Sequence, residues 1–569
     1  MSEAAEEQRT PPWAATYGDI SIEMPPVPDT TLPDIIEQHA KEAPGAPCIE
    51  YLGISITYGQ LDDWGNRLAN FLKAQGLERG DVIGLHLPNT PQYIIGLLAA
   101  AKLGCPASGV SPLLKADEIA FQIGNAKIRY LITLDQLFAP VASVMDGKVP
   151  DLKAAIVTGP IDFLPGWKKA LATALGKVPK VKLPTLEHIR VLSFWPDVRR
   201  ADKSRVYEPC RMEDVFVIQY TGGTTGNPKG AELSLRNVLS NVIQGETVIA
   251  LETGKETIAS AFPYFHIAGM GGLLMGLRKR ARMIVLPNPR DVQSFCKAML
   301  KYPPTMLSNV PTLYQMLLDK PLFREIDFSG LKIAMSGAAP SPVELIHKVE
   351  KIVGKGKYCE LYGLTETSPV LTFNTPGKTR PGTVGVPYPG TDIRIVDAET
   401  GTKEMPFHEP GELIANGPQV FRGYLGLPEE THRALRSFDG KTYFYTGDVA
   451  SMDEEGYITI RDRAKDMLIV GGYKVFSVEL ENKLKELDEV ELSAVIGKAD
   501  AKRPGNDIVN LYVQLSEAGK ILGEEAAREK ILAFCKEKMA AYKVPKKIHI
   551  VDAVPLTPVG KIDKKALRG

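Results

Sequence analysis

The chain has 569 residues, 44% hydrophobic and 24% charged, with 68 basic and 68 acidic residues and a formal net charge of zero. That length allows about two to four domains with real cores, and the balance excludes a whole-molecule field for nucleic acid or anionic membrane. Six cysteines without a close pair and eight dispersed histidines argue against a disulfide framework or a transition-metal cluster and suggest a reducing cytosol.

The beginning, Met1 to Trp13, is acidic and then proline-bearing, unlike a signal peptide. Thr57-Tyr58-Gly59-Gln60 has capping-box form, and Leu61, Trp64, Leu68, Phe71 and Leu72 follow at helical spacing until Gly76. Val82–Leu87 reads as a buried strand, Gln92–Leu103 as a helix and Tyr130–Thr133 as the end of another strand. Val82–Ala101 and Thr257–Leu277 carry no acidic or lysine/arginine charge over about a membrane's length. Pro88, Asn89 and Pro91 break the first, while Pro263, His266 and four glycines break the second, so both predict buried walls rather than spans. The alternation recurs around Ile284–Leu286, Thr305–Ser308 and Leu331–Ser336, and predicts mostly parallel sheets covered on both faces.

Residues 163–186 contain no acid and five lysines (Lys168, Lys169, Lys177, Lys180, Lys182), beside Phe163, Leu164 and Trp167. Two readings stand level. The segment is a basic amphipathic element resting peripherally on the anionic inner face of a membrane, or a solvated excursion packed by its own apolar residues.

The most informative segment follows a predicted strand, Val215–Tyr220. Tyr220-Thr221-Gly222-Gly223-Thr224-Thr225-Gly226-Asn227-Pro228-Lys229-Gly230 crowds glycines, hydroxyls and one lysine into a loop. Glycines let backbone N–H groups turn toward an anion unobstructed, which suits phosphate. It is not the common P-loop, since Lys229 follows Pro228 and precedes Gly230 rather than a Ser or Thr. Further on, Ser336-Gly337-Ala338-Ala339-Pro340 ends a strand with small residues, as a flat ring against backbone requires. Glu360 and Leu361 lead into Tyr362-Gly363-Leu364-Thr365-Glu366-Thr367. There Tyr362 could stack on adenine, Thr365 reach a phosphate and Glu366 hold Mg²⁺. Either segment alone reads as an ordinary strand-end turn.

Past residue 380, Thr391–Asp397, Gly411–Asn416, Tyr445–Met452 and Tyr457–Arg461 look like short strands between turn signals. Tyr445-Thr446-Gly447-Asp448 places a carboxylate at a strand start, where it could accept ribose hydroxyls. The charged run Arg461-Asp462-Arg463-Ala464-Lys465-Asp466 precedes a compact α+β unit. Its expected elements are helix Ser477–Leu487, strands Ser493–Ile496 and Val509–Val513, helix Glu524–Met539 and strand Ile548–Val551. Near the end, Lys561 sits in Leu556-Thr557-Pro558-Val559-Gly560-Lys561-Ile562-Asp563, on a loop and not a helix face; taken singly it also reads as a solvated lysine of a basic tail.

Together and in this order, from about Thr57 to Leu567, these segments resemble the adenylate-forming superfamily of acyl-CoA synthetases, peptide-synthetase adenylation domains and luciferases. The insert before Tyr220 and the run Gly230–Asn237 look most like long-chain fatty-acid–CoA ligases. The resemblance implies an α/β fold. A large N-terminal domain, 1–462, would hold two mostly parallel sheet subdomains and a β-rich subdomain at about 380–462. A small mobile C-terminal domain, 463–569, would swing on a hinge near Lys465. It also implies ATP, Mg²⁺ and coenzyme A, with a fatty acid activated to acyl-AMP and then passed to CoA. By family match, Thr221, Thr224, Thr225 and Lys229 embrace pyrophosphate, Glu366 carries Mg²⁺, and Asp448 and Arg463 hold the ribose. Lys561 bridges the carboxylate and AMP oxygens, and after the swing Gly472 and Tyr473 meet the pantetheine tunnel.

His266 matches the acyl-pocket gate, its alternative being a buried histidine satisfied by backbone. Two departures touch the substrate. Leu361 stands where the family commonly has glycine, and Met270 replaces a tryptophan that gates the tunnel in some members, so medium-chain or branched acids stay open. Competing readings are an aryl- or carrier-protein-directed acid ligase and a non-catalytic fatty-acid-binding protein at a membrane. Intact Lys229, Glu366, Asp448 and Lys561 count against the second. The expected setting is cytoplasmic, without nucleic acid, as monomer or homodimer.

Overall fold

The computed structural model describes residues 11–176, 181–221, 228–463, 466–470, 473–500, 503, 506–557 and 561–568. Two large sheets carry most of it. In the nine-stranded sheet, Pro47–Tyr51, Arg282–Val285, Thr257–Ser260, Met306–Asn309, Ile333–Ser336 and Tyr358–Gly363 run parallel in that spatial order. In the eight-stranded sheet, Val215–Thr221, Ala107–Gly109, Val82–His86, Ile128–Leu134, Ala154–Thr158 and Arg190–Ser193 are likewise parallel neighbours. Parallel strands require crossovers, and helices supply them.

The expected helix caps are present. Thr57 and Gln60 form a reciprocal capping box ahead of Tyr58–Ala74, and Thr90 caps the wholly buried helix Pro91–Lys102. That helix and Ile267–Arg278, whose residues are nearly all buried, account for the two long uncharged stretches. Among the described residues no helix is long and apolar enough to cross a membrane. All six cysteines are buried and unpaired.

The β-rich region forms a five-stranded antiparallel sheet of Asp392–Val396, Gly411–Asn416, Lys441–Met452, Leu435–Phe438 and Ile458–Arg463. It is less separate than its composition suggests. Val386–Pro387 joins the nine-stranded sheet and Gly423–Tyr424 edges the eight-stranded one, beside Lys229–Ser234. Its last strand runs through Arg463, one residue past the expected break at 462.

The smaller C-terminal domain has its own three-stranded sheet, Val490–Ala499, Asp507–Leu515 and Lys547–Ile550. Helices Ser477–Leu484 and Glu524–Lys538 pack a separate apolar core against it. Buried Asp462 ties this unit to the preceding strand by accepting from the backbone N–H and the hydroxyl of Ser477.

Candidate active site

The site gathers where several parallel strands end, the place an open α/β sheet offers to ligands. Strand Val215–Thr221 pairs antiparallel with Lys229–Ser234 so that Thr221 faces Lys229 and Tyr220 faces Gly230. The two ends of the phosphate segment are thereby fixed against each other. Gly222, Gly223, Thr224, Thr225 and Gly226 lie outside the described residues. Lys229 Nζ donates to Glu430 at 2.6 Å and stands 5.0 Å from the centre of the Tyr424 ring.

Strands Ile333–Ser336 and Tyr358–Gly363 pair in parallel, with Ser336 beside Glu360. Gly337, Ala338 and Ala339 leave the first of them as a shelf of small residues. A Cβ on Gly337 would come within 3.3 Å of the Leu361 carbonyl oxygen, a tighter contact than most, so the close approach favours glycine. Ala338 adopts a left-handed φ of 69°, a strained choice for a side-chain-bearing residue and one that marks functional loops. Leu361, which departs from the family's usual glycine, therefore lies directly against this shelf.

Glu360 accepts a hydrogen bond from the Ser341 N–H at 2.9 Å, and burial pushes its carboxyl up from the usual 4.5 to about 7. Below 4.5 the folded and unfolded states both hold the proton. Between 4.5 and 7 only the unfolded chain ionises, so stability falls as pH rises through that window, by roughly 3 kcal/mol in all. Glu360→Gln keeps an acceptor for Ser341 and removes the titration. It is expected to flatten the melting temperature between these pH values and to raise it at pH 8; an unchanged profile in thermal unfolding followed by circular dichroism would contradict this.

On the far wall, the Tyr362 hydroxyl donates to Asp448 at 2.7 Å, and Arg463 Nε lies 3.1 Å from the other Asp448 oxygen. Asp448 and Arg463 face each other in register across an antiparallel pair. The expectation that Asp448 opens a strand is corrected here: it lies inside Lys441–Met452. Gly447, at a positive φ of 70°, and a register shift between Glu412 and Ile414 on the neighbouring strand let one long strand pass through a turn signal.

Thr365 and Glu366 occupy a short buried 3₁₀ turn after the Tyr358–Gly363 strand. Burial raises the Glu366 carboxyl, and the Tyr424 hydroxyl donates to it at 2.8 Å. Tyr424 thus touches both Lys229 and Glu366. Neither Tyr424 nor Glu430 stood out in the sequence. A lone Gly-Tyr and a helix glutamate carry no signal until Gly423–Tyr424 pairs with Lys229–Ser234.

Lys561 enters this pocket from the C-terminal domain. Its turn is closed by a bridge between Leu556 and Ile562, by Thr557 N–H on the Lys561 carbonyl at 2.6 Å, and by Lys561 N–H on the Thr557 hydroxyl at 3.1 Å. Burial and then the charge of Arg463 push the ammonium down, while Asp448 and Glu366 support it. His266 caps helix Ile267–Arg278, its Nδ1 accepting from Ala268 N–H at 3.3 Å. Burial and then the Lys561 charge push the imidazole to about 4, so it is neutral near pH 7. The backbone-satisfied reading of His266 is therefore met at Nδ1, and the residue also faces the lysine's field.

The pocket brings together Glu366, Tyr362, Asp448, Arg463, His266 and Lys561. Tyr473 is not among them: 59% exposed, it stacks on Tyr542 at 4.6 Å. Lys465 and Gly472 lie outside the described residues. As for Mg²⁺, the described residues contain no cluster of three or more carboxylate, imidazole or thiolate groups. Buried Glu366 offers one hard oxygen donor, which fits an ion that keeps waters and takes its other ligands from phosphate.

Thr221 and Lys229 held face to face, a carboxylate–arginine pair and a lysine from a second domain are the parts of a nucleotide-activating enzyme. The family model for "AMP-binding enzyme" matches residues 36–425, and that for the "AMP-binding enzyme C-terminal domain" matches 479–561. The chain belongs to this family, the adenylate-forming enzymes that include the acyl-CoA ligases and use ATP and CoA. It is 34% identical to a long-chain-fatty-acid–CoA ligase of Bacillus subtilis (strain 168), over 98% of each chain. Among solved structures it resembles the anthranilate CoA ligase AuaEII in complex with anthranoyl-AMP (TM-score 0.80, 26% identity, 96% of this chain and 97% of that one). It also resembles ATP-bound MatB from Rhodopseudomonas palustris (TM-score 0.77, 27% identity, 94% and 98%).

Proposed function

We propose that this protein is a fatty-acid–CoA ligase that forms acyl-AMP and pyrophosphate from ATP, then passes the acyl group to the CoA thiol. The observation that carries the reading is Lys561, half-buried and within the electrostatic reach of Arg463, Asp448, Glu366 and His266. An ammonium disfavoured by desolvation becomes favourable once anions surround it. Lys561 would orient the substrate carboxylate toward the α-phosphorus and offset charge on the phosphoryl oxygens as they are displaced. Lys229 and the Thr221 end of the phosphate segment would hold the pyrophosphate, with Thr365 beside it. Asp448 would exchange Tyr362 for ribose hydroxyls while Arg463 stays beside it. Mg²⁺ on Glu366 would supply positive charge between phosphates. The protein's share is alignment and charge.

Thioester formation needs a different arrangement, because Lys561 fills the pocket and Tyr473 stands outside it. The proposed mobile domain, 463–569, would rotate near Lys465, releasing the Asp462–Ser477 bonds and bringing Gly472 and Tyr473 inward. The proposed setting is the cytoplasm, in keeping with six unpaired thiols.

The name of the B. subtilis relative supports a long-chain acid. The anthranilate ligase, similar in fold over nearly the whole chain, supports an aryl acid as the second reading. Burying one methylene contributes about 0.8 kcal/mol, so the chain-length optimum must be measured. Thioester and pyrophosphate are assayed with ATP, Mg²⁺, CoA and a series of fatty and aromatic acids. A fatty-acid optimum is expected. Preference for aromatic acids would move the assignment to the second reading, and pyrophosphate without CoA thioester would indicate a carrier-protein acceptor. Silence with every acid would favour a binding protein.

A further inference from the structure

Lys564 lies three positions beyond Lys561. Its side chain is only 11% exposed, where a lysine of a basic tail is ordinarily solvated. The Lys564 Nζ donates to the Ser477 hydroxyl and stands 2.8 Å from Glu481 Oε1. The Ser477 hydroxyl in turn donates to Asp462 at 3.0 Å, and the Ser477 N–H donates to the same carboxylate. One hydroxyl thus accepts from the lysine and donates to the aspartate. Glu481 also accepts from the Val495 N–H at 2.7 Å. Burial pushes both carboxyls up, and the Lys564 charge pulls each back.

The chain between the two lysines has little play. Ile562 bridges Leu556, and the Asp563 N–H donates to the Pro555 carbonyl at 2.8 Å. The Asp563 carboxylate accepts from the Lys565 and Ala566 N–H groups at 3.1 and 3.2 Å. Wherever Lys564 is held, Lys561 follows. The other end of the network is the strand of the site itself. Asp462 precedes Arg463, whose Nε lies 3.1 Å from Asp448. A second tie leaves the same tail, from Arg568 to Asp466. Stability alone does not account for charge here, because exchanging a buried ion pair for well-packed apolar side chains is often neutral or better.

We infer that Lys564 is a positioning residue: through Ser477 and Asp462 it registers the Lys561 turn against the strand that carries Arg463, and so holds Lys561 where acyl-AMP forms. This rests on the ligase reading and adds to it the device that aligns the lysine. The same joint must open before the C-terminal domain swings. Loosening it therefore costs the first half-reaction and not the second.

Acid-dependent pyrophosphate release and thioester formation from synthetic acyl-AMP are measured on the full chain. Lys564→Gln is expected to lower kcat of the first by about tenfold to a hundredfold, the range of one charge-assisted hydrogen bond. KM for ATP should change little, and the second half-reaction should not slow. Lys564→Arg should recover part of the loss. Added to Lys561→Ala, Lys564→Gln should cost nothing more, since a residue acting through Lys561 then has nothing to position. Lys564→Gln also leaves two buried carboxylates without their cation, so Ser477→Ala is measured beside it. That variant cuts the bridge, keeps Lys564 paired with Glu481, and is expected to show the same split to a smaller degree. Circular-dichroism melting reports that each variant is folded. In a folded variant, unchanged pyrophosphate release, equal loss of both half-reactions, or a further loss in the Lys561→Ala background overturns the inference. With an active wild type these results leave the ligase reading intact; a wild type that releases no pyrophosphate with any acid overturns both.

Discussion

Lys561→Ala is expected to slow acyl-AMP formation by about 10²–10³-fold, the loss found when one preorganised donor is removed from a developing negative charge. Conversion of supplied acyl-AMP to acyl-CoA should be largely retained, because the proposed swing removes this lysine before the thiol attacks. The split follows from where the side chain lies. Lys561 lies within the electrostatic reach of Arg463, Asp448, Glu366 and His266, while Tyr473 stands outside, exposed and stacked on Tyr542. Fatty-acid-dependent pyrophosphate release measures the first half-reaction. Thioester formation from synthetic acyl-AMP measures the second. Equal loss of both would remove the assigned role and leave Lys561 as a group that merely holds the domains together. Lys561→Arg keeps the charge but changes its shape, and should recover only part of the first rate.

Glu366→Gln is the second substitution with a large expected effect. It keeps an oxygen for the Tyr424 hydroxyl, which donates at 2.8 Å, and removes only the charge. kcat/KM for ATP is expected to fall by about 10²-fold or more, and the Mg²⁺ concentration giving half-maximal rate to rise. Stability should move the other way. Burial raises the Glu366 carboxyl, so its ionised form is disfavoured in the folded state. A neutral amide relieves that penalty above the ordinary glutamate pKa, and the melting temperature without ligand should hold or increase. An unaltered Mg²⁺ requirement would show that the carboxylate does not carry the ion. Tyr424→Phe gives the matching control, since it leaves the charge and removes only the bond that orients it.

Much of the architecture could be anticipated because it depends on neighbours in the chain. The Thr57–Gln60 capping box, the buried strand at Val82 and the strand Val215–Thr221 before the phosphate segment are local patterns of hydrophobicity and hydrogen bonding. The strand through Asp448 was placed differently for the same reason. Gly447 is a turn signal locally, and the ladder with Gly411–Asn416 steps from Tyr445 to Val449 across it while pairing with Ile458–Arg463 resumes at Asp448, so the strand continues through an irregularity. Pairing before and after the glycine outweighed a propensity of about 1 kcal/mol.

By itself the sequence determined which chemistry is available: a glycine-threonine segment with Lys229, a strand-end shelf, the carboxylates Glu366 and Asp448, and a lysine near the chain's end. It could do so because donor type and backbone freedom belong to individual residues. Only the tertiary structure decided which of these meet. Glu430 on Lys229, Tyr424 between Lys229 and Glu366, Tyr362 on Asp448, and the burial that shifts Glu360, His266 and Lys561 all join segments far apart in the chain. Such contacts and desolvation depend on distance in space, which no local pattern encodes.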